Sequence, residues 1–393
     1  MKIYIDISHI VNWEGRLTGI ERVEYHIIKY FYEKKTAEFI CWNGTEFEVV
    51  GRTFVDAKII HRSTEVVQAV SQKAHNQALL HKIKKRLKKQ VAKSELGERG
   101  TIIVLAGLWD NTSYANALVD VANTHSVVHV VYDMIPLVQK AYVVDFLPAV
   151  FEKYMLQVLP ACSAIFSDSA STAKDTKSVL LENSLQVPKI EVFRLGDDIT
   201  RAKNPVRPKN IEGEFILSVG TIEARKNHQL LYYVYKLLKA QNIKQLPKII
   251  IVGKRGWLSS DFLYMAEHDT EAKDGIIILD SITDAELCWL YENCLFTVFP
   301  SFYEGWGLPL AESLQYGKVT LSSGTSSLPE VGGGNVDYFS PFSTDELSAL
   351  IHKYLDKPER TKREAAIKKS YCPTSWDESV NLFEEKLKKA KLI

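Results

Sequence analysis

Short apolar runs alternate with amphipathic stretches along the whole chain. In the first half, residues 2–6, 101–105, 126–132, 164–167 and 190–194 read as strands; in the second, 214–219, 248–252, 276–279, 295–299 and 319–322 do so. Most are near-continuous in Val, Ile, Leu and Phe, as expected of parallel strands buried on both faces. Between them the pattern predicts helices over about 20–33, 146–159, 229–240, 283–292, 343–355 and 375–390. Strand alternating with helix in this way predicts an α/β protein built on parallel sheets. Several helix starts carry their own signals. Ser169 and Ser343 are placed as caps, Thr283 and Glu286 form a capping box, and Thr18 with Glu21 offers another ahead of Ile20. Residues 201–210 are polar, contain two prolines and show neither period, which marks a linker. The expected units are 1–205, 206–372 and a terminal helix, 373–393.

Size and charge narrow the class. With 393 residues the chain exceeds one ordinary core. A 46% hydrophobic and 25% charged composition is that of a globular protein, and a net charge of +1 argues against bulk nucleic-acid binding. The five cysteines form no C-x-x-C pair and mostly sit among apolar neighbours, so they read as reduced core thiols. Without a bilayer-length apolar run or a signal-peptide pattern, the expected location is cytoplasmic. One stretch departs from this even balance. Residues 81–93 hold a dense series of cations, with Leu80, Ile83, Leu87 and Val91 at helical spacing. Such a helix either lies solvated on its own domain or contacts an anionic membrane surface.

Chemistry concentrates in 300–312, Pro-Ser-Phe-Tyr-Glu-Gly-Trp-Gly-Leu-Pro-Leu-Ala-Glu. A buried strand ends at Pro300, and Pro309 suits the first turn of a new helix. Glu304 and Glu312 therefore flank a helix mouth rich in free amides, at the carboxyl end of a strand where open α/β sheets bind ligands. Gly305 and Gly307 are expected to let backbone approach a ligand. Arg225 and Lys226 occupy an equivalent strand-to-helix loop, where a forked guanidinium and an ammonium match a diphosphate. Asp133 ends the strand 126–132 and reads equally as a turn aspartate or as a group orienting a hydroxyl. His129, inside that strand, reads as a core residue. Gly19 precedes a helix start and either completes its cap or admits a diphosphate. Gly253 follows the strand 248–252 and reads as a turn glycine or as a point of close approach.

Glu304 and Glu312, separated by seven residues, resemble the E-x7-E signature of retaining GT-B glycosyltransferases of family 4. Two further blocks agree: Val219-Gly-Thr-Ile-Glu-Ala-Arg-Lys-Asn227 and Ser326-Ser-Leu-Pro-Glu-Val331, and Asp133-Met-Ile-Pro136 looks like the family's H-D-x-x-P, with Tyr132 in place of histidine. The resemblance is dense from about 215 to 342 and sparser before. It implies two Rossmann-like domains facing across a cleft, with the last helix crossing back to the first domain. It assigns Arg225 and Lys226 to the leaving diphosphate, Glu304 to hydroxyls of the transferred sugar and Glu312 to the nucleotide ribose. Gly19, Gly253, Gly305, Trp306, Gly307 and Leu308 are implied donor contacts. The donor is then a nucleotide sugar and the acceptor a glycan or lipid-linked hydroxyl in bacterial surface polysaccharide synthesis. GDP-mannose is the first expectation, a UDP-hexose or dTDP-rhamnose the next. No D-x-D occurs, so no metal and no cofactor are expected. The rivals are an epimerase, a phosphorylase, or a scaffold that binds sugar nucleotides without turning them over.

Overall fold

The computed structural model describes residues 1–393 except 16, 62–95, 200 and 244. The basic stretch 81–93 therefore lies outside the described residues. Two parallel sheets organise the chain. The first holds β1 (Lys2–Asp6), β2 (Glu38–Trp42), β3 (Phe47–Val50), β4 (Gly100–Val104), β5 (Ser126–Val131), β6 (Ala164–Ser167) and β7 (Lys189–Val192) in the order β3-β2-β1-β4-β5-β6-β7. The second holds β8 (Phe215–Val219), β9 (Lys248–Val252), β10 (Ile276–Leu279), β11 (Thr297–Phe299), β12 (Thr320–Ser323) and β13 (Asp337–Phe339) in the order β10-β9-β8-β11-β12-β13. In each, the chain order reverses beside the first strand, the topology that opens a crevice at the strands' carboxyl ends.

The expected strands all form, with edges displaced by up to two residues. The hairpin β2–β3 was not legible, although Asn43-Gly44 marks its turn; β3 is the antiparallel edge strand. The helix Lys357–Ser370 is another addition, being polar nearly all round and burying only Ile367. The cap at the first long helix is corrected. Gly19, at φ 54°, occupies the N-cap of Ile20–Lys34, and Thr18 stands one residue outside. The capping box at Thr283/Glu286 forms as expected, and a second, at Ser375/Glu378, starts the last helix.

The last helix, Trp376–Lys389, packs on the first sheet's side. Phe383 lies against Phe166 and Phe193, with ring centroids 4.8 and 5.0 Å away, and Lys386 reaches Glu191 at 3.1 Å. Two chain crossings join the lobes, one after Phe193 and one before Ser375, and buried Asp197 ties them together. Its carboxylate accepts from Thr374 N (2.6 Å), Tyr371 Oη (2.6 Å) and Arg194 Nη2 (3.0 Å). Where the crossings touch, a Cβ on Gly196 would lie 2.6 Å from the Trp376 ring.

Candidate active site

The carboxyl ends of both sheets meet at a cleft of about 530 Å³. Its wall includes Gly19 and Asp133 from the first lobe and Arg225, Lys226, Gly253, Glu304, Gly305, Trp306, Gly307, Leu308 and Glu312 from the second. Residues from five separate loops and one helix are thus gathered around one space, as a ligand spanning the lobes would require.

At the centre is a buried charge network. Beyond β8 a short 3-10 turn, Ala224–Lys226, leads into the helix His228–Ala240 through Asn227, whose φ of 55° is a left-handed value that Asn tolerates. The Asn227 amide donates to Pro300 O (3.0 Å) and Pro341 O (2.8 Å), pinning this turn against the end of β11. Phe302 N adds a hydrogen bond to Arg225 O at 2.9 Å. So held, Arg225 Nη1 lies 2.7 Å from Glu304 Oε2, its Nη2 2.6 Å from Glu223 Oε1, and Lys226 Nζ 2.6 Å from Glu304 Oε1. Ser301 Oγ donates to Glu304 as well, at 2.7 Å. Burial alone would raise the Glu304 carboxyl, but Arg225 and Lys226 outweigh it and hold the group down at about 2. Glu223, missed in the sequence, is the second anion that lets two cations sit side by side in a poorly solvated place.

The turn after Glu304 owes its shape to the 326–331 block. Glu304 N donates to Ser326 Oγ (2.8 Å), and Ser327 Oγ donates to both Glu304 O (2.9 Å) and Trp306 O (2.8 Å). Gly307, at φ 116°, then caps the helix Leu308–Gln315. Two glycines of the cleft wall also answer packing needs. A Cβ on Gly305 would lie 2.1 Å from Tyr132 O, so this position is small to let the lobes touch. A Cβ on Gly253 would lie 1.9 Å from Gly220 O, a constraint of packing between neighbouring strand ends. Gly19 differs: nothing lies within 4 Å of where its Cβ would be. Trp306 is mostly core, 7% exposed, with the Arg194 guanidinium 5.4 Å from its ring centre.

Glu312 is held from both lobes. Its Oε2 accepts from Tyr291 Oη at 3.0 Å and its Oε1 from Arg22 Nη1 at 2.7 Å, while Arg22 Nη2 reaches Asp198 O at 3.2 Å. Arg22 was overlooked because its sequence neighbourhood is only a helix start. Its place three residues past the N-cap, aimed across the cleft, is a tertiary fact. Asp133 has its expected turn role, Oδ1 accepting from Ile135 N at 3.0 Å, and its residue also lines the cleft. Burial raises its carboxyl and Arg225 opposes the rise. His129 is the satisfied core residue expected, bonded to Tyr154 Oη at 3.0 Å, and burial depresses it to about 4.

Comparison with known proteins agrees with this geometry. Residues 200–371 match the family model described as glycosyl transferases group 1. The serotype-specific mannosyltransferase WbdA of Escherichia coli is 32% identical over 233 residues, 58% of this chain and 29% of that protein. The O-antigen chain mannosyltransferase B of Escherichia coli is 36% identical over 137 residues, 35% of each. The matched segments thus span about a third of these relatives. Among solved structures, Anabaena Alr3699/HepE in complex with UDP superposes with a TM-score of 0.60 at 14% identity, over 99% of this chain and 100% of that one. The second lobe thus carries the match to glycosyl transferases group 1, and the two facing parallel sheets have the GT-B architecture.

Proposed function

We propose that the cleft transfers a hexose from a nucleoside-diphosphate donor to a hydroxyl of a glycan or lipid-linked acceptor, with retention and without a metal. The observation that carries this is the Arg225–Lys226–Glu304 network, set at strand ends opposite the helix start at Gly19. As the bond from the sugar's anomeric carbon to the diphosphate oxygen breaks, the electron pair and negative charge pass to the diphosphate. Arg225 and Lys226 are preorganised to receive that charge, and the amides at Gly19 add to them. Glu304 both holds the two cations in place and faces the transferred sugar's hydroxyls. Glu312, oriented by Arg22 and Tyr291, is placed for the ribose diol. The acceptor oxygen forms the new bond on the face the diphosphate leaves, and its proton goes to a diphosphate oxygen. Contact of the lobes through Gly305 and Tyr132 keeps water from competing.

The names of the two Escherichia coli relatives support mannose, and with it GDP-mannose, in polysaccharide assembly; a UDP-hexose or dTDP-rhamnose is the alternative donor. Lys226→Ala is the cleanest test, because Arg225 still compensates Glu304. Turnover should fall by about 10²–10³-fold, the size seen when one charge-stabilising donor is removed. A wild-type rate in a folded variant would sink the proposal. A scaffold that only binds sugar nucleotides would show donor binding and no turnover in the wild type. Among the described residues, no helix is long and apolar enough to cross a membrane. Peripheral contact through 81–93 rests on the sequence. Replacing Lys84, Lys85, Lys88 and Lys89 by Glu should weaken binding to anionic liposomes, and unchanged binding would refute it.

A further inference from the structure

One wall of the cleft holds polar groups that the reaction above does not use. β5 and β6 run side by side, with Val131 opposite Ser167, so the residues just past their ends, Tyr132-Asp133 and Asp168, emerge together into the cleft. Asp168 is 2% exposed and its Oδ1 has no hydrogen-bond partner. Tyr132 is 9% exposed and its hydroxyl has none either. Leaving such atoms unpaired in a folded protein is costly unless something else completes them. We infer that Asp168, with Tyr132 beside it, is a positioning site for the hydroxyls of a neutral sugar ring.

The chemistry selects that ligand. Two neighbouring carboxylates, Asp133 and Asp168, repel phosphate and carboxylate groups. Among the described residues no group of three or more His, Cys, Asp or Glu side chains is placed to hold a metal ion. A sugar hydroxyl can donate to a carboxylate and accept from a phenol, which answers both unpaired atoms at once. Burial, with Asp133 nearby, also pushes the Asp168 carboxyl up.

The ring can belong to the donor's hexose or to the acceptor, and a binding experiment separates these sources. GDP-mannose, UDP-glucose and dTDP-rhamnose are each titrated against their bare nucleoside diphosphates, and methyl α-mannopyranoside is titrated with the diphosphate present. Asp168→Asn and Tyr132→Phe should each weaken one sugar-bearing ligand by about tenfold, the loss of one hydrogen bond to a charged group, with bare diphosphate affinity unchanged. A loss for the nucleotide sugar assigns the ring to the donor; a loss for the methyl glycoside assigns it to the acceptor. Tyr132→Phe removes only an unpaired hydroxyl, so its fold should be unharmed. Wild-type affinity of both variants for every sugar, or no sugar binding by the wild type, overturns the inference. The ring's part in a transfer rests on the proposed function, but its binding does not. A wild-type chain that binds sugars through Asp168 and turns over no donor would refute the transferase reading alone.

Discussion

Glu304→Gln isolates the charge network. The wild-type carboxylate has three donors within 2.7 Å and is only 10% exposed, and its cations hold it at about 2 against an ordinary 4.5. A group depressed on folding stabilises the protein fully above its unfolded value, and that contribution is lost as pH falls through the folded one. At about 1.4 kcal/mol per pH unit, the window between 4.5 and about 2 corresponds to roughly 3 kcal/mol. This agrees with the roughly 3–5 kcal/mol expected when one partner of a buried pair is removed. Urea unfolding at pH 7.5 should therefore show the variant less stable by roughly 3 kcal/mol, and at pH 3 by only about 1.4 kcal/mol. The comparison cancels other acids that titrate in the same range, because they are common to both proteins. A nucleoside diphosphate should restore more stability to the variant than it adds to the wild type, since it supplies the anion that Arg225 and Lys226 have lost. A deficit equal at both pH values, or a diphosphate effect no larger in the variant, would refute this account.

Two more expectations concern mechanism and packing. Turnover should survive EDTA; complete loss that manganese restores would replace the cation-based mechanism with a metal-based one. Gly305→Ala puts a methyl group against Tyr132 O and should cost about 1–3 kcal/mol, together with much of the activity. Gly324→Ala, whose Cβ would meet nothing closer than 3.6 Å, serves as the neutral control in the same melts, and equal melting temperatures for the two would remove the packing argument.

Much of this protein was legible in order along the chain. Strands such as β6, β9 and β10 are continuous apolar runs that can lie only between two layers of helices, so periodicity sufficed. Glu304, Glu312, Arg225 and Lys226 could be singled out because each follows a strand end, where the backbone leaves amides and side chains facing outward. The hairpin β2–β3 and the helix Lys357–Ser370 were not legible, because an edge hairpin and a nearly all-polar helix carry little periodic signal.

Which groups meet was a different question, and local pattern could not answer it. Arg22 and Glu312 are 290 residues apart, and Gly305 is small on account of a carbonyl in the other lobe. Sequence alone determined the alternating strand-and-helix layers and the charged loops at strand ends, since both follow from short-range periodicity and backbone geometry. Only the tertiary structure decided that Glu223 balances Arg225, that Asn227 pins the basic turn, and that Asp168 Oδ1 and the Tyr132 hydroxyl stand unpaired in the cleft wall. Those depend on how the two sheets face each other, and that is set by long-range packing.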